Sequence, residues 1–320
     1  MPKVMKLKAQ RYFLPEQYGL FERLKVRVFD GKRPIPTFPI RAQIQTRTAC
    51  NAECAFCPNT TVGDALSQGE MDWDLYTKIV DEMCEHEIDE IHPFLMNEPL
   101  WDKELPKKIR YLADRRKPGS KMKIKINTNA SFLTDDVAKQ LIESGLDKIN
   151  ISFHGIRPEV YEFNMGNLKF EPMIKKVLRF KQLLTKASKP KPKLHITMVK
   201  TKDIVDDKKN IRAFWKSHGI GCNFRPLGNR NNKEVEMKGI NWDDWHAYTW
   251  CRRPFTQIYI LYNGDCVLCC CDWNRTTTLG NLRHKTIAEV WNSPAYKRVR
   301  ENFLLKDRKD LLCGTCLYTR

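Results

Sequence analysis

The stretch CNAECAFCPN places Cys50, Cys54 and Cys57 at spacings of four and three residues, with no further cysteine or histidine close behind. Thiolates are the ordinary ligands of iron–sulfur clusters, which take four, and a structural zinc ion also closes its shell with four ligands. Three thiolates in one tight loop point to a cluster with one iron left open to bind and activate a co-substrate. A second concentration lies near the other end, where seven of the 12 cysteines fall between Cys251 and Cys316. CVLCCC gathers Cys266, Cys269, Cys270 and Cys271, and CGTC adds Cys313 and Cys316. Cys84 and Cys222 stand alone and read as small buried hydrophobes. With no export signal at the N-terminus, such clustering serves metals or redox chemistry rather than disulfides.

The elements that must position these residues alternate strand and helix from residue 40 to about 227. IRAQIQT alternates like a half-buried strand and runs straight into the cysteine loop. DWDLYTKIVDEMCEH, KELPKKIRYLADRR, TDDVAKQLIESG, EPMIKKVLRFKQLL and DDKKNIRAFWKSHG carry helical periodicity. IDEIHPFLM, KMKIKINTN, LDKINISFHG, KLHITMVK and IGCNFRPL read as the strands between them. Repeated β–α units of this length make a parallel sheet, and six strands on a curved sheet make a partial (β/α)6 barrel. Functional loops then sit at the C-terminal ends of strands, which is where CNAECAFC, NEP, NTNAS and SFHG fall. The expected organisation is an N-terminal extension (1–39), the α/β partial barrel (40–227), a polar linker (228–250) and a small α+β tail (251–320). In the tail, TQIYILYNGDCVLCCCDW reads as a hairpin turning at Asn263–Gly264. Thr286 and Glu289 form a capping box, and Ser293–Pro294 opens a second helix. The tail is too small to own much core, so metal is expected to stabilise it.

The chain has 320 residues and a formal charge of +18, from 56 basic and 38 acidic side chains. Nine Lys or Arg stand against Asp114 alone between residues 107 and 125. Such a field attracts nucleic acid, acidic peptide or a small anion, or simply coats solvated helix faces. No run approaches the roughly 18 apolar residues of a membrane span, and the expectation is a soluble, cytoplasmic protein. Aromatic residues are not interleaved with the basic runs, which counts against nucleic acid.

Cys50-x3-Cys54-x2-Cys57 after the first strand of a βα barrel, with Phe56 just before the third cysteine, resembles the radical S-adenosylmethionine (SAM) superfamily. Further stretches match in order. MNEP is similar to the G-G-E-P motif that lines the SAM amino group, with Met96 and Asn97 in place of the glycines and Glu98 and Pro99 retained. NTNA resembles the T-N-G strand end through Asn127, Thr128 and Asn129, with Ala130 replacing glycine. ISFHG is similar to the strand end whose serine reaches the SAM ribose, a role that falls to Ser152, while His154 stands where the family has an acid. The resemblance implies a [4Fe–4S] cluster on Cys50, Cys54 and Cys57 whose open iron binds SAM. Reductive cleavage then yields a 5′-deoxyadenosyl radical, fed by an external donor such as flavodoxin or ferredoxin.

Cys251, Gly264, Cys269, Cys313 and Cys316 resemble the auxiliary-cluster domain of the SPASM and twitch subfamilies, supported by LGNL and IAEVW. This implies one auxiliary [4Fe–4S] cluster on Cys251, Cys269, Cys313 and Cys316, a zinc site on the same four being the alternative. Strand alternation would point Cys269 and Cys271 one way and Cys270 the other. A fully ligated cluster serves electron transfer or structure, so the expected reaction is two-electron oxidation of a small anionic or sugar-like molecule. His154 and Arg225, at strand ends facing the barrel mouth, are the candidates for proton transfer or charge polarisation. The alternatives are peptide modification (maturation, thioether formation or epimerisation) and RNA modification.

Overall fold

The computed structural model describes residues 12–13, 33–63, 66–187, 192–229, 245–247, 251–305, 307 and 311–319. Most of the expected N-terminal extension and linker, and the connection at 188–191, lie outside the described residues.

Six strands run parallel and in sequence order: β1 (Arg41–Ile44), β2 (Glu90–His92), β3 (Lys123–Thr128), β4 (Lys148–Ser152), β5 (Lys193–Val199) and β6 (Gly221–Arg225). Parallel neighbours need long crossovers. These are supplied by α1 (Trp73–Glu85), α2 (Leu105–Asp114), α3 (Asp135–Glu143), α4 (Pro158–Met165), α5 (Phe170–Lys186) and α6 (Lys208–Ser217). Asp72 caps α1 by accepting from the Leu75 amide at 2.8 Å, and Thr134 caps α3 through Val137. Helix α4 carries no clear apolar stripe and is absent from the sequence expectation.

Each strand shows two faces. Ala42, Ile44, Ile91, Ile124, Ile126, Ile149, Ile151, Ile196 and Met198 are fully buried on the helix side, against Leu75, Ile79, Ile109, Leu141, Phe180 and Trp215. The opposite face is polar and partly buried, with Gln43, Glu90, His92, Lys125, Asn127, Lys148, Asn150, Ser152, His195 and Thr197. Period-two alternation thus gives the barrel an apolar outer core and a polar inner surface. Much of the basic run at 107–125 is ion-paired: Lys108 with Asp102 at 2.6 Å, Arg116 with Asp147 at 2.7 Å, Arg115 with Asp81 at 3.3 Å.

The expected hairpin is present as β7 (Gln257–Ile260) and β8 (Asp265–Val267), turning at Asn263–Gly264 with Gly264 at φ +93. A third strand, β9 (Thr278–Asn281), pairs antiparallel with β8. β7 also pairs parallel with β1, Gln257 opposite Arg41 and Ile260 opposite Ile44, so the sheet has nine strands. Two helices follow, α7 (Ile287–Trp291) with its capping box and α8 (Pro294–Leu304) capped by Ser293. Ile287, Val290, Trp291 and Tyr296 join the barrel's own core. Glu82 of α1 accepts from the Ile287 and Ala288 amides at 2.8 and 3.0 Å. The tail, expected to own little core, thus shares the barrel's. No helix among the described residues is long and apolar enough to cross a membrane.

Candidate active site

Cys50, Cys54 and Cys57 border a cavity at the C-terminal ends of the strands. Phe56, Asn97, Glu98, Asn127, Thr128, Asn129, Ser152 and His154 line it with them. Pro99 sits just behind, buried at the start of a 3-10 turn over Pro99–Trp101 that Glu98 caps through the Leu100 amide. Of the site residues expected around the three cysteines, all but Pro99 line this cavity.

Glu98 is fully enclosed. Its Oε2 accepts from the Asn129 amide at 2.7 Å, and Oε1 accepts from the Thr128 hydroxyl and from the Leu100 amide at 3.0 Å. Burial nevertheless dominates and pushes its carboxyl up to about 7. Burial, with Glu98 adding to it, also pushes the Cys50 thiol up to about 12. The strand-end turns keep the backbone that glycine would give: Met96 lies at φ 53 and Ala130 at φ 66, both left-handed. The replacements at these positions therefore preserve the loop paths.

The cysteine loop is clamped by residues that sequence reading missed. Asn167 Nδ2 donates to the Asn51 carbonyl at 2.9 Å, and its Oδ1 accepts from the Glu53 amide at 3.3 Å. Asn164 at the end of α4 accepts from the Ala55 amide at 3.2 Å and donates to the His154 carbonyl at 3.0 Å. Gly166, at φ +67, lies so close that an added Cβ would stand 2.2 Å from the Glu53 carbonyl oxygen. Asn51 in turn accepts from Asn129 and from Ser131, each at 3.1 Å, tying the loop to the end of β3.

His154 is only 4% exposed and its Nδ1 accepts from the Val199 amide at 3.0 Å. That fixes the neutral tautomer with hydrogen on Nε2, so the ring as placed is no ready proton acceptor, against the role of base drawn from the sequence. Arg225 lies exposed on the edge strand β6, outside the cavity lining. It stands in register with Val199, the residue whose amide donates to His154, but of the two candidates only His154 lines the cavity.

One lining residue comes from the tail. Trp273 is 5% exposed, and its indole Nε1 is buried without a hydrogen-bond partner among the described residues. Asn97 Nδ2 is in the same condition, while its Oδ1 accepts from the Leu95 amide at 2.9 Å. The Trp273 loop is stiff, because buried Asp272 accepts from the Thr276 amide and hydroxyl at 2.9 Å and from the Thr277 amide at 3.0 Å. Met96 packs against the tail's Tyr259, Leu261 and Cys269 group, joining the two halves of this wall.

A second cavity gathers Cys251, Cys269, Cys271, Cys313 and Cys316 with Arg253, walled by Pro254, Leu268, Phe303 and Leu312. The four expected ligands are together, and Cys271 is with them. Strand β8 ends at Val267, so the cysteines lie in a turn in which the Cys271 amide donates to Cys269 Sγ at 3.3 Å. The alternation expected of a strand does not extend there, yet Cys269 and Cys271 both line the cavity. Thiol hydrogen bonds from Cys269, Cys270 and Cys316 hold Cys271 well below its ordinary value, and push Cys269 and Cys316 up. Cys266 is a core residue, fully buried. No disulfide forms among the described residues. Nor do three or more His, Cys, Asp or Glu close on a single-ion centre there. Thiols spread around a cavity suit a cluster, whose irons occupy more space than one ion.

Residues 44–203 match the radical SAM superfamily, and residues 251–317 match SPASM, an iron-sulfur cluster-binding domain. A tungsten-containing aldehyde ferredoxin oxidoreductase cofactor-modifying protein from Pyrococcus furiosus is 21% identical, covering 85% of this chain and 86% of its own. BtrN in complex with AdoMet and 2-DOIA superposes with a TM-score of 0.61 at 20% identity, over 87% of this chain and 92% of that one. Streptococcus suis SuiB bound to precursor peptide SuiA gives 0.60 at 16% identity, over 82% and 67%. The family uses SAM with a [4Fe–4S] cluster, and the SPASM domain carries auxiliary iron–sulfur. The chain belongs to the radical SAM superfamily and is a radical SAM enzyme with a C-terminal SPASM domain.

Proposed function

We propose that this enzyme removes two hydrogens from a small, oxygen-rich anionic molecule, oxidising an alcohol carbon to a carbonyl. Cys50, Cys54 and Cys57 hold the SAM-binding cluster; Glu98 receives the SAM amino group, and Ser152 with the strand-end residues Asn127, Thr128 and Asn129 borders the ribose. Cys251, Cys269, Cys313 and Cys316 hold the auxiliary cluster. When bound, SAM and its cluster supply the hydrogen-atom acceptor and the auxiliary cluster the one-electron acceptor, so that CH–OH becomes C=O with its proton passing to solvent.

The observation that carries this reading is Trp273. It continues the Cys269–Cys271 turn and lines the cavity of the first three cysteines. A path from substrate to auxiliary site therefore runs through a few covalently linked residues. Its unpaired indole N–H and the Asn97 amide are two buried donors that need acceptors, which hydroxyl, carbonyl or carboxylate oxygens supply. A second group supports the anionic character. Lys125, Lys148 and Lys193 stand side by side in register on the inner strand face. Burial, then Lys125, Arg225 and Lys193, depress the Lys148 ammonium, and Glu90 opposes them while bound to Lys125 and His92. Lys125 and Lys148 sit two and four residues before Asn127 and Ser152, about 7 and 13 Å along their strands, and add positive charge on the strand face that leads to the cavity.

The test uses anaerobically reconstituted enzyme with SAM, reductant and matched panels of sugar phosphates, neutral sugars and acidic peptides. The reading expects 5′-deoxyadenosine release stimulated by a phosphorylated compound, and a product lighter by two hydrogens. Stimulation by peptides alone, or a product of unchanged mass, would overturn it in favour of peptide modification or epimerisation.

A further inference from the structure

Arg253 brings a positive charge to the cavity that gathers the second set of cysteines. It lies two residues after Cys251, at the first position of a short helix over Arg253–Thr256, and lines the second cysteine cavity beside Pro254, Leu268, Phe303 and Leu312. Its Nη1 donates to Cys271 Sγ at 3.5 Å. The charges that act on it most strongly are those of Cys270 and Cys271, followed by Tyr259 and Cys251. Tyr259 is fully buried and its hydroxyl donates to Gln257 Oε1 at 2.6 Å, so it stays a neutral phenol. A guanidinium keeps its charge in such surroundings, and a partly buried charge requires a counter-charge. Among the described residues, the Cys271 sulfur that Arg253 touches is placed to provide it.

We infer that Arg253 sets the reduction potential of the auxiliary cluster, holding it high enough to accept an electron. The inference rests on the reading that this cavity holds a cluster. Adding an electron to a thiolate-ligated cluster adds one negative charge, and a fixed cation in a low-dielectric cavity stabilises the reduced state more than the oxidised one. Hydrogen bonds to sulfur and net local charge set cluster potentials. The Cys271 amide on Cys269 Sγ and the Arg253 guanidinium on Cys271 Sγ act in the same direction. Arg253 touches thiols rather than substrate and is a positioning residue.

The experiment is a redox titration followed by electron paramagnetic resonance on the full chain carrying Cys50/Cys54/Cys57→Ala, so that only the auxiliary site reports. Iron is counted on the same samples. Arg253→Gln removes the charge, Arg253→Met removes it while keeping the apolar wall packed, and Arg253→Lys retains it. The neutral variants should hold iron yet titrate lower, by at least tenfold in the reduced-to-oxidised ratio at fixed potential, or about 59 mV for one electron. Arg253→Lys should stay nearer the parent. An unmoved potential in a neutral variant at full iron would overturn the inference alone, as would an equal shift in Lys and in the neutral pair, which would mark a packing effect. A parent without iron at this site would overturn the cluster reading and the inference together.

Discussion

At the scale of single residues the buried carboxyl of Glu98 organises the first cavity, and it should be measurable in the cluster-free chain. Its folded value, raised to about 7 from 4.5, means the unfolded chain releases this proton first as pH rises. Its contribution is therefore complete below pH 4.5 and lost as pH climbs through about 7, a difference of about 3 kcal/mol. Glu98→Gln should abolish that component of the pH dependence and, by setting an amide NH2 against backbone donors, cost about 1–3 kcal/mol. Urea midpoints of both proteins at pH 5 and pH 8 check it; parallel slopes would contradict the assignment. Trp273→Phe should keep the wall packed but remove one donor, leaving SAM cleavage intact while product per 5′-deoxyadenosine falls by an order of magnitude, about the 1–3 kcal/mol of one lost buried hydrogen bond. Of these two, Glu98 was legible because its motif sits at a predicted strand end. Trp273 was not, because nothing local tells that a tail residue enters a cavity built by the barrel. His154 was legible as a position and misread as a chemistry: a backbone amide from another strand takes its Nδ1.

Among elements, α4 and the turn after it decide how the cysteine loop is held. Gly166 cannot carry a side chain without moving the Glu53 carbonyl, and its left-handed backbone adds strain to any replacement. Gly166→Ala is expected to displace the loop and roughly halve total iron after reconstitution, since only one of two clusters that follow the four-thiolate rule is affected. Iron per chain together with the circular dichroism of the folded protein checks this; full iron retention would contradict the clamp. The periodic helices α1, α3 and α5 and the strands between them could be read from sequence because each helix carries its own amphipathic signal, with caps at Asp72 and Thr134 for the first two. Helix α4 could not, because its burial is dictated by the loop it grips rather than by an apolar stripe.

For the whole molecule, the parallel pairing of β7 with β1 makes barrel and tail one sheet over one core. The cluster-free protein should therefore unfold in a single transition by near-ultraviolet circular dichroism and by calorimetry. Trp291→Ala should destabilise all of it by about 3–5 kcal/mol, and two separate transitions would contradict the shared core. The hairpin itself was legible from Asn263–Gly264, but its docking beside the first strand joins segments from opposite ends of the chain, and no local pattern reports that. One molecule brings together two distinct cysteine sites, the first of them bordered by Trp273 from the tail. Iron counting after anaerobic reconstitution tests this most directly, on the natural chain and on Cys50/Cys54/Cys57→Ala. About eight irons falling to about four is the expected result for two four-iron clusters; about four in the natural chain with none left in the variant would contradict it.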